Sequence, residues 1–317
     1  MGKLKNTFSW SFSAAESFNQ CRRQRYWGKY AMWGGWDRKA TPEQKLAYRL
    51  CKMDNRWGLM GQAAENAIMW VLHQHQQGKS VTAKAGWDTI AKPFLGRKWK
   101  ESLEGNWRSA PKRFCCLHGH YYKTIENDND AKRQIAAQVQ NCIQNFIEKV
   151  LPRIEKIDPA MEFQIATPEA GGDVEHFFYE GIKVYAIPDY AYQLGDEIHI
   201  HDWKAGKIKA EQHRQQLALY ALWAIVKHNA KLENIFLYVE YLNEGQVLPF
   251  QLSKEELETA IGLMSESVGE MTEYLVDHDR EKNEPLPKEE WELTADPDNC
   301  TFCSFYELCK PELENRN

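Results

Sequence analysis

Two acidic residues and a lysine in the middle of the chain have the types and spacing of a hydrolytic metal site. Asp189 lies thirteen residues before the start of the segment Asp202-x-Lys204. Side chains alternate between the faces of a β-strand, so Asp202 and Lys204 are expected on one face, at the charged end of a strand whose apolar start includes Ile198. Carboxylate oxygens hold Mg²⁺ or Mn²⁺, and a cation near the attacking water assists phosphodiester hydrolysis. The arrangement therefore indicates metal-dependent hydrolysis.

A helix predicted after this strand carries two more polar residues, Gln216 and Tyr220. Because they are four positions apart, they project from one helix face, toward the strand that carries Asp202 or toward a bound backbone. Such a pair is common on helices. Its significance comes from its order after Asp189 and Asp202-x-Lys204.

Cysteines near both ends of the chain have the spacing of metal ligands. Cys300-x-x-Cys303 is followed by Cys309, and Cys21 lies near the N-terminus. Four thiolates suit either zinc or an iron-sulfur cluster on chemical grounds. Eight cysteines in a large chain without a secretion signal favour ligation over a disulfide framework.

The remaining cysteines are Cys51, Cys115, Cys116 and Cys142. Cys142 falls on an apolar helical stripe and is predicted to be a core residue. The vicinal pair Cys115-Cys116, followed by His118 and His120, is an alternative metal site.

Together, the ordered motif and the four cysteines resemble the RecB-like branch of the PD-(D/E)XK nuclease superfamily with an iron-sulfur cluster, as in AddB-type nuclease domains and CRISPR-associated RecB-like exonucleases. The resemblance covers most of the chain and is thin between residues 78 and 158. It implies an α/β fold, with a restriction-endonuclease-like mixed central sheet flanked by helices, a helical insertion and an iron-sulfur-stapled N/C-terminal module.

The resemblance also implies residue roles. The catalytic set would comprise the aspartates, the lysine and the helical pair: Asp189, Asp202, Lys204, Gln216 and Tyr220. The ligands of Mg²⁺ or Mn²⁺ would be carboxylates and one backbone carbonyl: Glu65, Asp189, Asp202 and Trp203. A [4Fe-4S] cluster would be held by four thiolates: Cys21, Cys300, Cys303 and Cys309. Lys204 would orient or activate the attacking water and stabilise charge on the phosphoryl oxygens.

Glu65 is included because it lies four residues after Gly61, where family members often have a histidine. A carboxylate there favours Mg²⁺ relative to a site with an imidazole. Glu65 is expected to point in the direction of the apolar residues of its helix, such as Ile68, and the alternative is a structural or surface acid. Glu162 is a further candidate, expected to brace the site indirectly.

Composition sets broad limits. The chain has 317 residues, 43% of them hydrophobic, and a formal net charge of −5. It contains no apolar run of the roughly eighteen residues that a membrane span needs. Its N-terminus lacks the apolar core of a secretion signal, so a cytoplasmic location is expected. Residues 79–113 hold nine basic against three acidic residues, whereas residues 253–298 hold fifteen acidic against four basic. A polyanion is expected to bind at the basic stretch.

Periodicity predicts helices at about residues 11–32, 55–77, 130–150 and 209–228. It predicts strands at 161–166, 174–179, 182–194, 197–203, 235–241 and 246–251. Glu180-Gly181 and Gly195-Asp196 are expected hairpin turns, and Ser253 with Glu256 is a capping-box signature. We interpret residues 1–317 as a single domain, with 78–158 as a helical, basic and aromatic insertion and 1–30 plus 295–317 as the iron-sulfur module.

Within the insertion, aromatic residues alternate with cations. These aromatics are Trp87, Phe94, Trp99, Trp107 and Phe114. Such a composition is typical of a single-strand platform, on which aromatics stack bases and cations follow phosphates. The alternative is a helical subdomain with a core of aromatics and solvated cations.

The sequence therefore predicts a divalent-metal-dependent DNA nuclease, an exonuclease on single-stranded DNA or duplex ends. A helicase, integrase or recombination protein is a possible partner, since the chain has no Walker A motif with which to unwind DNA. The alternative is a catalytically silent or partner-activated DNA-binding module with a structural or redox-sensing cluster. Loss of the usual histidine favours this alternative, and the intact carboxylate and lysine set opposes it.

Overall fold

The protein combines two mixed β-sheets with many helices, and the computed structural model describes residues 5–163 and 174–315. Its strands are β1 Trp10–Ser11, β2 Phe177–Tyr179, β3 Ile182–Tyr185, β4 Tyr190–Leu194, β5 Glu197–Lys204, β6 Ile235–Tyr241 and β7 Gln246–Phe250. The larger sheet has the order β4-β5-β6-β7, and the smaller has the order β1-β3-β2. In the larger sheet β5 and β6 are parallel, while the two outer pairs are antiparallel. The predicted mixed α/β architecture is confirmed.

The longer α-helices are α1 Phe12–Gln20, α3 Pro42–Cys51, α4 Arg56–Gln76, α6 Lys92–Glu104, α8 Asp128–Asn145, α10 Ala210–His228, α11 Lys254–Glu273 and α13 Tyr306–Glu314. Short α-helical pieces are α2 Arg22–Arg25, α5 Ala83–Gly86, α7 His118–Tyr121, α9 Leu151–Ile154 and α12 Asp298–Thr301. The helix starts follow local chemistry. Asn55 caps α4, and Ser253 with Glu256 forms the predicted capping box of α11.

Alternation along β5 places different partners on the two faces of the larger sheet. Ile198 and Ile200 belong to a core that includes residues of α10 and α11. Trp203, on the opposite face, belongs to a second core that includes residues of α4, α6 and α8. The charged end of β5 therefore lies on the α10 side.

Both predicted hairpins are present. Glu180 and Gly181, which join β2 to β3, have φ angles of +48° and +77°. Two successive positive φ values are those of a type I′ turn, whose twist matches that of the strands. Gly195, with φ +58°, begins the turn between β4 and β5. The β4–β5 turn fixes the register in which Tyr190 pairs with His201.

Two strand predictions need correction. The run 182–194 is broken into β3 and β4, and Pro188 lies in the break. Proline has no N–H to donate to a ladder, so it ends regular pairing, and it leaves Asp189 just before β4. Of the predicted strand 161–166, Glu162 forms a single bridge to Tyr192, and residues 164–166 lie outside the described part of the chain.

The predicted helix over residues 11–32 is interrupted at Cys21. This residue has extended backbone angles, φ −161° and ψ 115°, between α1 and α2. The change of direction lets Arg23, which is 3% exposed, donate from Nε to the carbonyl of Trp291 at 2.7 Å. A distant contact therefore overrides the helical periodicity. Residues Tyr26–Ala31 then continue as a π-helix.

The insertion is more regular than its sequence indicates, because α5, a π-helical segment Trp87–Ala91 and α6 follow one another directly. Trp99 and Trp107 are buried, so these two rings are core residues and do not offer faces to a ligand. Cys142 is buried as predicted. None of the described helices has the length and apolar character that crossing a bilayer requires.

A matched pair of substitutions in α4 tests this packing. Ile68 is 0% exposed and Met69 is 44% exposed, although they are adjacent. We expect Ile68→Ala to lower the free energy of unfolding by about 2–5 kcal/mol through lost burial and a residual cavity. Met69→Ala should change it by less than about 0.5 kcal/mol. Urea unfolding measures both, and equal losses would contradict the assigned orientation of α4.

Candidate active site

Four of the predicted catalytic residues form a closed loop of polar contacts at the end of β5. Lys204 Nζ lies 2.6 Å from Asp202 Oδ2 and donates to Gln216 Oε1 at 2.8 Å. Gln216 Nε2 donates to the Tyr220 hydroxyl at 2.9 Å, and that hydroxyl donates to Asp202 Oδ1 at 3.2 Å. Strand alternation and the four-residue helical spacing thus produce one connected network.

Asp189 completes the acidic side of the site. Its Oδ2 accepts a hydrogen bond of 2.6 Å from the backbone N–H of Trp203. The ladder between β4 and β5 ends at the pair Tyr190 and His201, so Trp203 lies beyond it. In an extended strand the N–H and C=O of one residue project to the same side. The carbonyl of Trp203 is therefore on the edge of β5 that faces Asp189. A backbone ligand of a metal ion held by Asp189 would have to lie on this edge.

Burial and mutual repulsion shape the protonation of these carboxylates. Burial raises the pKa of Asp189 well above its usual range, the charge of Asp202 raises it further, and the Trp203 N–H opposes the shift. Burial also raises the pKa of Asp202, which is 2% exposed, while Lys204 and Tyr220 lower it. The positive charge and hydrogen-bond donors around these two buried carboxylates do not fully offset the cost of ionising both of them.

Glu65 lies on α4 and is exposed, contrary to the expectation that it points with the apolar residues. Ile68 and Leu72 are buried, and Glu65 is on the edge of their stripe. Partial desolvation of the carboxylate raises the pKa of Glu65, and the charge of Asp202 raises it further. Glu65 is therefore close enough to Asp202 to interact with it.

The donors of the site suit a hard cation. They are carboxylate oxygens with one carbonyl, the set that Mg²⁺ and Mn²⁺ prefer. Asp202 Oδ2 is buried and, apart from its ion pair with Lys204, has no aligned hydrogen-bond donor. Within residues 5–163 and 174–315, no three acidic, histidine or cysteine side chains stand in a ready metal-holding arrangement.

Two residues near Lys204 were not anticipated. Glu16 on α1 has its pKa raised by burial, and the charges of Lys209 and Lys204 oppose the shift. His213, one turn before Gln216 on α10, has its Nδ1 3.1 Å from the Tyr241 hydroxyl. Burial and the same two lysines lower the pKa of His213 to about 4. The three-residue spacing to Gln216 was a usable signal for His213, whereas nothing local marks Glu16.

Glu162 is tied to the sheet on the face opposite to Asp202. Its Oε1 accepts from the Tyr190 hydroxyl at 2.8 Å, and its Oε2 accepts from Gln76 at 2.6 Å. Tyr190 belongs to the core beneath α4 and α8. Glu162 therefore reaches the site only through Tyr190, the neighbour of Asp189.

The four terminal cysteines are free thiols close enough to influence one another's pKa, although no three of these described side chains stand in a metal-holding arrangement. Burial raises the pKa of Cys303 to about 12, and the neighbouring Cys309, Cys21 and Cys300 add to the shift. Burial likewise raises the pKa of Cys309 to about 11, with a contribution from Cys21. Trp27 Nε1 donates to the Cys309 sulfur at 3.3 Å. These thiols therefore remain protonated in the metal-free protein, and metal ligation would require them to lose their protons.

The alternative metal site is not formed. Cys115 donates to Asp54 at 3.4 Å, and the ring of His120 contacts Ser102 and Asp128. His118 packs against the ring of Tyr122, with centroids 4.6 Å apart. These side chains are therefore engaged separately.

A mixed sheet that carries Pro188-Asp189 and Asp202-x-Lys204 at one end is the frame of a nuclease site. A family model for the PD-(D/E)XK nuclease superfamily matches residues 66–310, well over half of the chain. The chain belongs to this superfamily, whose members are nucleases that typically use divalent metal ions. The match is to the superfamily as a whole and does not distinguish its branches. No curated protein matches the chain.

Substitution of Asp189 tests the electrostatics of the site. A carboxyl whose folded-state pKa is raised contributes stability below its unfolded pKa, near 3.9, and this contribution is lost as pH rises through the raised pKa. Asp189→Asn avoids that loss and keeps an acceptor for Trp203. We therefore expect the variant to unfold at a higher temperature than wild type in EDTA at pH 8, by an amount that shrinks as the pH falls toward 4.

Mg²⁺ should reverse the order, because a ligand at 100 times its dissociation constant stabilises the native state by about 2.7 kcal/mol. Wild type should gain more than Asp189→Asn. Thermal unfolding followed by circular dichroism measures both series, with the exposed Asp196→Asn as control. A lower unfolding temperature for Asp189→Asn in EDTA would show that the buried charge is not destabilising.

Proposed function

We propose that this protein is a divalent-metal-dependent deoxyribonuclease of the RecB-like branch, acting as an exonuclease on single-stranded DNA or duplex ends. The observation that carries the proposal is the buried pair Asp189 and Asp202 linked to Lys204. The preference for DNA, the exonuclease action and the branch are inferred from the resemblance of the motifs. A helicase, integrase or recombination protein fits as a partner.

Each residue has a task in this proposal. Asp189 and Asp202 would hold Mg²⁺ or Mn²⁺, with Glu65 and the carbonyl of Trp203 as further ligands. When bound, such an ion polarises a phosphoryl oxygen and makes its bound water more acidic. The Trp203 N–H fixes the orientation of Asp189 through its 2.6 Å hydrogen bond.

Lys204 supplies the remaining positive charge. Gln216 accepts from its ammonium at 2.8 Å and so restricts where the ammonium points. Tyr220 in turn holds Gln216 and Asp202 through one hydroxyl. Gln216 and Tyr220 are thus positioning residues, and Lys204 is the group that would contact the phosphate or the attacking water.

Cleavage assays with two substitutions test this proposal. We expect Lys204→Ala and Asp202→Asn each to slow cleavage of end-labelled DNA about 10²–10³-fold or more, because each removes charge that the transition state requires. The controls are Lys207→Ala and Asp196→Asn, which change exposed residues of the same types. Wild-type cleavage in Mg²⁺ or Mn²⁺ that both variants retain would contradict the assignment.

A second candidate function is a catalytically silent or partner-activated DNA-binding module. One observation favours it: the described side chains do not stand ready as a three-ligand metal group. DNA binding without divalent ions, and no cleavage with them, would select this candidate.

We further propose that Cys21, Cys300, Cys303 and Cys309 bind a [4Fe-4S] cluster that joins the two ends of the chain. The support is the ligand-like spacing of the cysteines together with the influence that these four free thiols have on one another's pKa. Ligation across so many residues stabilises the native state because the unfolded chain lacks a formed site.

Replacement of one thiol tests the cluster. We expect Cys303→Ser, purified without oxygen, to lose most of its bound iron and sulfide and to unfold at a lower temperature. Cys51→Ser is the matched control, because Cys51 packs in the same hydrophobic cluster but outside the four thiols. Metal analysis of wild type decides between iron with sulfide and zinc, and equal metal content in both variants would refute the ligand set.

A further inference from the structure

A groove of about 460 Å³ outside the candidate active site lies between two segments that are distant in sequence. One wall is the turn at residues 35–38 together with α3, and the other is residues 108–113, within the insertion. Six of its lining residues are cations: Arg38, Lys45, Arg49, Arg108, Lys112 and Arg113. Among the residues that line it, Asp37 alone is acidic.

These cations are not neutralised by the protein. In the described part of the chain, no carboxylate lies within ion-pair distance of any of the six. Lys45 donates to the backbone carbonyl of Arg38 at 2.8 Å, and Asp37 accepts from the N–H of Lys39 at 2.8 Å within its own turn. A chain with a net charge of −5 thus concentrates positive charge here, where an anion would relieve the repulsion.

An aromatic ring stands in the same groove. Trp36 is 46% exposed, yet it is held edge-to-face by Trp33 and Tyr48, at centroid distances of 5.2 Å and 5.6 Å. Gly35 lies so close to Gln44 and Tyr48 that a Cβ atom there would clash with both. The turn is therefore held tightly against α3, and Trp36 is an exposed ring in a fixed place.

We propose that this groove binds one strand of nucleic acid, with its phosphates along the six cations and an unpaired base stacked on Trp36. An exposed aromatic ring beside a cationic track is the composition with which proteins hold single strands. The proposal rests on the proposed nuclease function only in that the bound strand would be its substrate. Trp99 and Trp107 cannot provide the stacking surface, because both are buried.

Binding to a labelled single-stranded oligonucleotide tests the role of Trp36. Fluorescence anisotropy with the full chain in EDTA excludes cleavage. We expect Trp36→Ala to weaken binding roughly 5- to 100-fold, the usual effect of losing one base stack, and Trp36→Phe to restore part of the affinity. The matched control is Trp57→Ala, since Trp57 is also exposed, at 41%, with the guanidinium of Arg56 4.6 Å from its ring.

Salt dependence tests the cations. We expect the double variant Arg49→Ala/Arg113→Ala to reduce the slope of log affinity against log salt by about 1.4, or 0.7 for each lost phosphate contact. Lys254→Ala/Lys282→Ala, which removes two exposed cations elsewhere, should leave it unchanged. A blunt duplex should bind more weakly and be insensitive to Trp36→Ala. The proposal would be overturned if the groove variants kept the wild-type affinity and the wild-type slope of log affinity against log salt. It would also be overturned if Trp36→Ala weakened duplex binding as much as single-strand binding.

A small substrate separates this proposal from the nuclease assignment. Bis(p-nitrophenyl) phosphate with Mn²⁺ reports on the active centre alone, so the groove variants should hydrolyse it at the wild-type rate while their KM for long single strands rises. If the wild-type protein hydrolyses neither bis(p-nitrophenyl) phosphate nor DNA, but strand binding still requires Trp36, the nuclease assignment is wrong and the strand-binding role of the groove is supported. If the wild-type protein hydrolyses both substrates and the groove variants keep the wild-type affinity and KM for long single strands, the proposal of strand binding in the groove is wrong.

Discussion

The burial of two neighbouring carboxylates is the constraint around which the rest of the site is arranged. Burial raises the pKa of both Asp189 and Asp202, and the charge of Asp202 adds to the shift at Asp189. One backbone N–H and one ammonium from β5, and one hydroxyl from α10, approach the two carboxylates. Each of these donors comes from an element that must stay in register. The free energy of packing thus maintains an arrangement that electrostatics alone would disperse.

Local periodicity was sufficient to predict much of this arrangement. Alternation along β5 brought Asp202 and Lys204 to one face, and a four-residue spacing brought Gln216 and Tyr220 to the same place. Glycine turns fixed the hairpin registers. These features depend on dihedral geometry within a few residues, and such geometry is encoded nearby.

The features that sequence did not predict depend on contacts between distant segments. The break at Cys21 lets Arg23 reach Trp291, and Glu162 lies on the far face because its partners are Tyr190 and Gln76. Glu16 comes close to Lys204 only through the packing of α1. Pro188 indicates the end of a strand, but the apolar residues on both sides of it led to the prediction of one continuous strand over 182–194.

Helix α3 has two different surroundings on its two sides. Ala47 and Leu50 pack in the hydrophobic cluster that contains Cys309 and Phe305, while Lys45 and Arg49 face the cationic groove. This one helix of ten residues therefore borders a cysteine-containing hydrophobic cluster on one side and the proposed strand-binding groove on the other. Oxidation of Cys303 or Cys309 in air would loosen the packing around Ala47 and Leu50. Because a helix moves as a rigid element, Lys45 and Arg49 on its other side would be displaced as well. Exposure to air during purification should then change the affinity of the protein for polyanions, even where the larger sheet and the carboxylates Asp189 and Asp202 are unchanged.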